Sequence, residues 1–162
     1  MTLIPSVMKR TFFLAFAMMI PFMASAQLPD FTGAWKLNSS KSQLNQEFTM
    51  APNEIIIVQK GNDLSVERHS SFQYQEFTTT DKFTLDGKEC INKGWQDSQK
   101  KSTAVWTDDK KSLKISTKIS VGDGGEMSLT ETYKMDGSIM IIDSYASSDY
   151  GEMTETMAYD RK

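Results

Sequence analysis

An alternation of apolar and polar residues with a period of two runs through most of the chain. It is clearest where Leu113, Ile115, Ile119 and Val121 alternate with lysines and serines. Successive side chains of a β-strand point to opposite faces, so this pattern predicts a strand with one buried face and one wet face. From residue 54 onward no segment shows a helical period instead, and we therefore predict an all-β protein.

Turn sequences separate the predicted strands at short intervals. Asp86-Gly87 and Asp136-Gly137 are examples, because both residues of each pair tolerate positive φ and favour hairpins. With a first strand over residues 31–37, about ten short strands result, and a hairpin-connected row of them would leave two exposed edges. Closure removes such edges, so we predict a single antiparallel up-and-down β-barrel of about eight to ten strands. Its interior would hold one small ligand, and a sandwich of two sheets is the structural alternative.

The N-terminal residues have the composition of a secretory leader. The basic pair Lys9-Arg10 precedes a thirteen-residue apolar stretch that ends in small residues. This order of basic, apolar and small residues predicts a signal peptide over residues 1–26, cleaved after Ala26. One mature domain over residues 27–162 then remains, and we expect it to be secreted or periplasmic.

The length of the apolar stretch, the net charge and the cysteine content each exclude a class of partner or of cross-link. An uncleaved membrane anchor is the alternative to a leader, but Pro21 interrupts the apolar stretch, which is too short for a hydrocarbon core of roughly 30 Å. We therefore expect no stable membrane insertion after cleavage. The chain has 18 Lys and Arg against 21 Asp and Glu, a formal net charge of −3, which argues against nucleic acid as the partner. Cys90 is the single cysteine, so the core must stabilise the domain without an intramolecular disulfide.

The start of the predicted domain carries a recognisable motif, Phe31-x-Gly33-x-Trp35. It resembles the Gly-x-Trp opening of the calycins, the superfamily of lipocalins and intracellular fatty-acid-binding proteins, in which the tryptophan closes one end of the barrel. Order, strand length and turn placement over the second half of the chain are also similar to a fatty-acid-binding barrel. The segments that carry this likeness are FTLDGKEC, KSTAVWTDDKKSLKISTKI, ETYKMDGSIMIID and MTETMAYDRK. The resemblance implies a calycin-like barrel, and the secretory leader makes the bacterial secreted lipocalins the nearest analogue.

The sequence departs from that family where the family binds its ligand. Fatty-acid-binding proteins hold a carboxylate with an Arg-x-Tyr on the last strand, and here Met157-Ala158-Tyr159 stands in that place. A second family arginine would fall near Glu131 or Thr132, and neither is cationic. Because a carboxylate buried without a cation is costly, we do not expect a free fatty acid deep inside. The family's pair of lid helices is also unmatched, since the connection before residue 54 has room for one short helix at most.

The last predicted strands supply the candidate cavity residues. Their expected inward positions are rich in methionine and tyrosine, which suit an apolar ligand with a few polar points. A filled core of the same residues is the alternative. The acidic members imply a wet cavity, a cationic or hydroxylated ligand, or a place near the rim. The candidates are Met127, Leu129, Glu131, Tyr133, Ile141, Asp143, Tyr145, Met153, Glu155, Met157 and Tyr159.

Catalytic chemistry has little support in the sequence. His69, the single histidine, alternates out of phase with Leu64 and Val66 and is expected to be solvated. Nothing in the spacing brings it to Cys90, and neither a nucleophile elbow nor a zinc-binding helix is present. Trp95 lies in a polar run and is the better candidate for an exposed aromatic that stacks on a ligand ring.

The sequence as a whole predicts a non-enzymatic binding protein with no cofactor and no metal. Its expected partner is a small hydrophobic or amphipathic molecule held inside the barrel. The alternative is a protein-interaction module, such as a secreted inhibitor or accessory subunit, built on the same barrel with a filled core.

Overall fold

The computed structural model describes residues 27–94, 98–120 and 124–162, so the predicted signal peptide lies outside the described residues. One antiparallel sheet runs in the order β4-β3-β2-β1-β10-β9-β8-β7-β6-β5. Its strands are β1 Gly33–Leu37, β2 Glu54–Lys60, β3 Asp63–Phe72, β4 Gln75–Thr84, β5 Cys90–Lys93, β6 Gln99–Trp106, β7 Ser112–Ser120, β8 Glu126–Asp136, β9 Ile139–Ser148 and β10 Gly151–Arg161. The prediction of an all-β up-and-down barrel is confirmed, with β1 joined to β10 by a ladder that closes the circle on that side.

The period-two pattern places side chains as the sequence predicts on β7. Leu113, Ile115 and Thr117 are buried there, while Lys114 and Lys118 are exposed. Paired residues of neighbouring strands share a face, so the register carries the same inward set around the sheet. Within the described ranges, no helix has the length and apolarity that crossing a membrane would require.

The aromatic motif at the start of the domain forms a buried cluster. The Trp35 ring is fully buried, and its indole N–H donates to the Phe31 carbonyl over 2.8 Å. Phe31 stacks on Trp106 with ring centroids 6.0 Å apart. The Arg161 guanidinium lies 4.4 Å from the centroid of the Trp35 ring. Gly33 has φ +147°, and a Cβ there would come within 2.7 Å of the Arg161 side chain, so glycine is required for this close approach.

The β4 and β5 edges form a seam where the barrel has no backbone ladder. The side-chain amide of Asn92 bridges it, because Asn92 Nδ2 donates to the Lys82 carbonyl (3.0 Å) and Asn92 Oδ1 accepts from the Lys82 amide (2.8 Å). Beside it, the Thr84 amide donates to Cys90 Sγ over 3.3 Å. One side chain thus satisfies both backbone groups of an edge residue that a ladder would otherwise pair.

Residues 42–53, here called the strap, connect the first strand to β2 across one end of the barrel. Only a single 3₁₀ turn, Ser39–Lys41, precedes the strap, in keeping with room for one short helix at most. An isolated bridge between Gln43 and Thr156 holds the strap to β10. The strap therefore lies in the connection for which the sequence predicted one short helix at most.

Removing the Asn92 side chain tests the seam. We expect Asn92→Ala to lower the free energy of unfolding by about 1–2 kcal/mol, because two neutral hydrogen bonds are lost. Hydrogen exchange at the Lys82 amide should also become faster, since its acceptor is gone. Chemical denaturation and amide exchange would measure both effects. Lys93→Ala, an exposed neighbour on the same strand, is the control and should change neither, and equal effects of the two variants would contradict this account of the seam.

Candidate functional site

A cavity of about 160 Å³ lies within the barrel beneath the strap. Both apolar and polar side chains line it, and the strap contributes Met50 and Pro52. This cavity is smaller than most ligand pockets, which measure about 300–1,000 Å³. It therefore suits only a small molecule. The apolar lining is Met50, Pro52, Phe83, Ile119, Leu129 and Met157, and the polar lining is Arg68, Thr79, Asp81, Lys100, Thr117, Glu131 and Ser144.

Arg68 is the centre of the polar lining. Its guanidinium donates to Asp81 Oδ2 (2.8 Å), to Glu131 Oε2 (2.8 Å) and to the Tyr133 hydroxyl (2.9 Å). Its side chain is only 13% exposed. Charge-assisted hydrogen bonds of this length are the strong class, and in this barrel they join three separate strands.

The register explains why Arg68 points inward. Leu64 and Val66 on β3 are buried, and Arg68 is the next residue on the same face. Arg68 pairs with the buried Ile55 of β2 and with Thr79 of β4. The sequence contained this signal in the alternation of Leu64, Val66 and Arg68, but we used that alternation only to orient His69.

Lys100 is a second cation inside the barrel. Its ammonium lies 2.5 Å from Asp81 Oδ1, with only 14% of its side chain exposed. The expectation that the interior lacks a buried cation is therefore wrong. It considered only the positions where fatty-acid-binding proteins carry arginine, whereas the cations here come from β3 and β6.

The electrostatics of the cluster favour fixed protonation states. Burial by itself lowers the pKa of Arg68, but Glu131, Tyr133 and Asp81 together raise the pKa well above its usual range. Burial raises the pKa of Tyr133, and Glu131 raises it further despite the opposing effect of Arg68. Arg68 therefore stays charged and Tyr133 stays a neutral hydroxyl, which donates to Glu131 Oε2 over 3.5 Å.

Glu155 holds the strap from below. Its Oε1 accepts from the Asn45 amide (2.9 Å) and its Oε2 accepts from the Met50 amide (3.1 Å). Glu155 is 2% exposed, so these backbone donors replace the water that the carboxylate has lost. The Tyr159 hydroxyl donates to the Pro52 carbonyl over 3.0 Å, and burial raises the pKa of Tyr159. Two side chains of β10 thus fix the roof of the cavity.

The structure separates the eleven predicted cavity residues into three groups. The first group, Leu129, Glu131 and Met157, lines the cavity. A second group shares the inward face without lining it, and this group is Met127, Tyr133, Met153, Glu155 and Tyr159. A binding role for these inward residues stays a prediction.

The third group, Ile141, Asp143 and Tyr145, was predicted to face inward, and that orientation is wrong. On β9 the inward residues are Ile142, which pairs with Tyr133, and Ser144, which pairs with Glu131. Ile141, Asp143 and Tyr145 alternate with these residues and lie on the outward face of β9. Residues 139–142 are all apolar, so the alternation gives no sign of which residues face the core.

The outward residues have surface partners. Asp143 forms an ion pair with Lys134 over 2.6 Å and accepts from the Thr156 hydroxyl over 2.9 Å. Tyr145 is 41% exposed. Asp143 is therefore part of the outer surface and not of a polar interior.

The residues considered for catalysis lie apart. His69 contacts Glu67 over 2.7 Å on the outer face, and it pairs with Thr78 of β4. Cys90 lies beside Thr84, six residues further along that strand, which places the two about 20 Å apart along the strand. The described part of the chain holds no group of three or more His, Cys, Asp or Glu residues arranged for a metal ion. Trp95, the predicted stacking aromatic, lies outside the described residues.

Comparison with solved structures identifies a barrel of the same kind. The crystal structure of zebrafish ileal bile acid-binding protein in complex with cholic acid is similar to this chain with a TM-score of 0.54 and 18% sequence identity. The match covers 82% of this chain and 98% of that chain. No family model matches the sequence, and no curated protein matches it. The likeness confirms the calycin-like fold, and at this identity it establishes the fold alone.

Substitution of the central arginine tests the cluster. We expect Arg68→Met to lower the free energy of unfolding by about 3–5 kcal/mol, because Glu131 is left as a buried carboxylate without a cation. Adding Glu131→Gln to that variant should recover part of the loss, since Asp81 and Lys100 then remain as a balanced pair. Denaturant unfolding of the two single variants and the double variant measures this coupling.

The matched control for this experiment is an ion pair on the outer face. Lys134→Met breaks the contact with Asp143, where both side chains are more than 40% exposed, and should cost no more than about 1 kcal/mol. Losses of equal size for Arg68→Met and Lys134→Met would contradict a central role for Arg68.

Proposed function

We propose that this protein is exported and binds one small amphipathic molecule inside its barrel without transforming it. The observation that carries the proposal is the cavity beneath the strap, which is lined by apolar side chains and by a polar cluster around Arg68. Such an arrangement removes an apolar body from water and orients it by a few polar contacts.

The mixed composition of the lining supports an amphipathic ligand. Phe83, Ile119 and Leu129 offer apolar surface, and Met50 and Met157 add side chains that adapt to irregular shapes. Arg68, Lys100 and Glu131 lie among the same lining residues. A purely apolar ligand would leave these polar groups without a contact, so an amphipathic molecule fits the lining better.

A binding role without chemistry is supported by the internal contacts of Arg68 and Asp81 and by the positions of His69 and Cys90. Arg68 and Asp81 are held by contacts within the protein, and the buried hydroxyls of Ser102 and Thr117 hydrogen-bond to each other over 2.9 Å. A catalyst needs a nucleophile or base within reach of a substrate. His69 on the outer face and Cys90 at the seam do not meet that geometric requirement.

A protein-interaction module is the second candidate, and the shape of the surface favours it. The internal cavity is smaller than most ligand pockets, whereas a groove of about 420 Å³ opens at the edge of the sheet. Val58, which is 52% exposed, lies in that groove beside Phe83 and Cys90. Exposed apolar surface of this kind is typical of contact sites between proteins.

Fluorescence of the neutral apolar probe 1-aminonaphthalene, which is small enough for a cavity of about 160 Å³, separates these two candidates. We expect the mature protein to enhance the probe's fluorescence in a saturable way, and Leu129→Trp to abolish the enhancement because indole fills the cavity. Val105→Trp adds the same ring at a residue that is 41% exposed and should bind the probe like the unaltered protein. Absence of saturable enhancement, or an equal loss in both variants, would remove the ligand-binding proposal in favour of the interaction module.

Export is tested by the mass of the protein made from the full sequence in a bacterial host with a periplasm. We expect the protein in the periplasmic fraction or the medium to begin at Gln27, because signal peptidase would cleave after Ala26. Ala26→Pro should block processing and leave the full-length mass in the membrane fraction. Full-length protein in the cytoplasm of cells that express the unaltered chain would contradict export.

A further inference from the structure

The charged side chains that line the cavity neutralise one another. Asp81 contacts both Arg68 and Lys100, and Glu131 contacts Arg68. Two cations thus face two carboxylates, and no positive charge is left over. A charged group added to this cluster would have no opposite charge to neutralise it.

Although the charges of this cluster are balanced, some of the hydrogen-bond donors and acceptors in the cavity have no partner among the described residues. Arg68 and Tyr133 both contact Glu131 through Oε2, and among the described residues Glu131 Oε1 has no hydrogen bond. The Lys100 ammonium has three donors and, within the same ranges, contacts only Asp81. Ser144 lines the cavity, is 6% exposed and forms no side-chain hydrogen bond to a described residue. The cavity therefore offers a free acceptor, a free donor and a hydroxyl that does both.

We propose that the ligand carries a hydroxyl group, has no formal charge, and places that hydroxyl against Glu131, Lys100 and Ser144. This inference rests on the proposed ligand-binding function and names the chemical class of the ligand. A hydroxyl donates one hydrogen bond and accepts others, so it can donate to Glu131 Oε1 and accept from the Lys100 ammonium. Its apolar body then lies against Leu129, Met157 and the other apolar walls.

Charged ligands of the same size are disfavoured by the same contacts. A carboxylate would lie beside Glu131 while Arg68 and Lys100 are already neutralised, so its desolvation would go uncompensated. An ammonium would approach Glu131 favourably, but it would add a positive charge beside Arg68 and Lys100. A neutral hydroxyl avoids both penalties and uses the free donor and acceptor.

The test compares octanol, octanoate and octylamine, which share one chain length and differ in the head group. Each is titrated as a competitor against 1-aminonaphthalene bound to the unaltered mature protein at neutral pH. We expect octanol to bind at least about tenfold more tightly than either charged ligand, since a poorly compensated buried charge costs more than one tenfold step in affinity. This comparison needs no variant and so does not depend on any substitution being tolerated.

The outcomes keep the two proposals distinct. Failure of the probe itself to bind overturns the ligand-binding function and this inference with it. Probe binding with octanoate or octylamine as effective as octanol, or with no displacement by octanol, overturns only the assignment of a neutral hydroxylated ligand.

Glu131→Gln tests the role of the charge balance. This variant leaves Arg68 and Lys100 facing one carboxylate, so we expect the ratio of octanoate to octanol affinity to rise by on the order of tenfold. The control is Glu126→Gln on the same strand, where the carboxylate is exposed and pairs with Lys118 over 3.1 Å. A ratio unchanged in Glu131→Gln, or shifted equally in both variants, would contradict the argument from charge.

Discussion

The contact between Arg68 and its carboxylates is the constraint around which the interior is arranged. A guanidinium inside an apolar barrel is tolerable only when opposite charges and hydrogen-bond acceptors surround it. Asp81 from β4 and Glu131 from β8 supply them, so strands from the two halves of the sheet order are joined through the interior of the barrel. Lys100 of β6 adds a second link to Asp81. Because the β4 and β5 edges share no backbone ladder, the Asp81–Lys100 pair joins strands on the two sides of this seam.

The two ends of the barrel are closed by different means. At one end Phe31 stacks on Trp106, and the buried Trp35 indole donates to the Phe31 backbone carbonyl. The other end is covered by the strap, whose amides bind the Glu155 carboxylate. An aromatic plug packs without water, whereas a strap held by hydrogen bonds leaves space beneath it. The cavity therefore lies on the strap side, next to the polar cluster.

The comparison with zebrafish ileal bile acid-binding protein concerns the fold of this protein and not the chemistry of its cavity. The barrel is of the same kind, but similarity at this level concerns the path of the backbone. The cavity of this chain is small, and the charged side chains that line it neutralise one another. The ligand class proposed here accordingly follows from the residues of this interior and not from the likeness between the folds.

The sequence by itself determined the all-β class, the positions of most strands and turns, and the inward face wherever apolar and polar residues alternate strictly, as on β7 and β8. It also predicted that the helical lid is missing, because the connection before β2 has room for one short helix at most. Two features were decided only by the tertiary structure. The inward face of β9 depends on its register with β8, since residues 139–142 are apolar on both faces. The charge of the interior depends on Arg68 meeting Asp81 and Glu131, which lie 13 and 63 residues away along the chain. A local pattern reports which way a side chain points, but only the closed barrel brings distant charges within hydrogen-bonding distance, and that proximity determines what the cavity can hold.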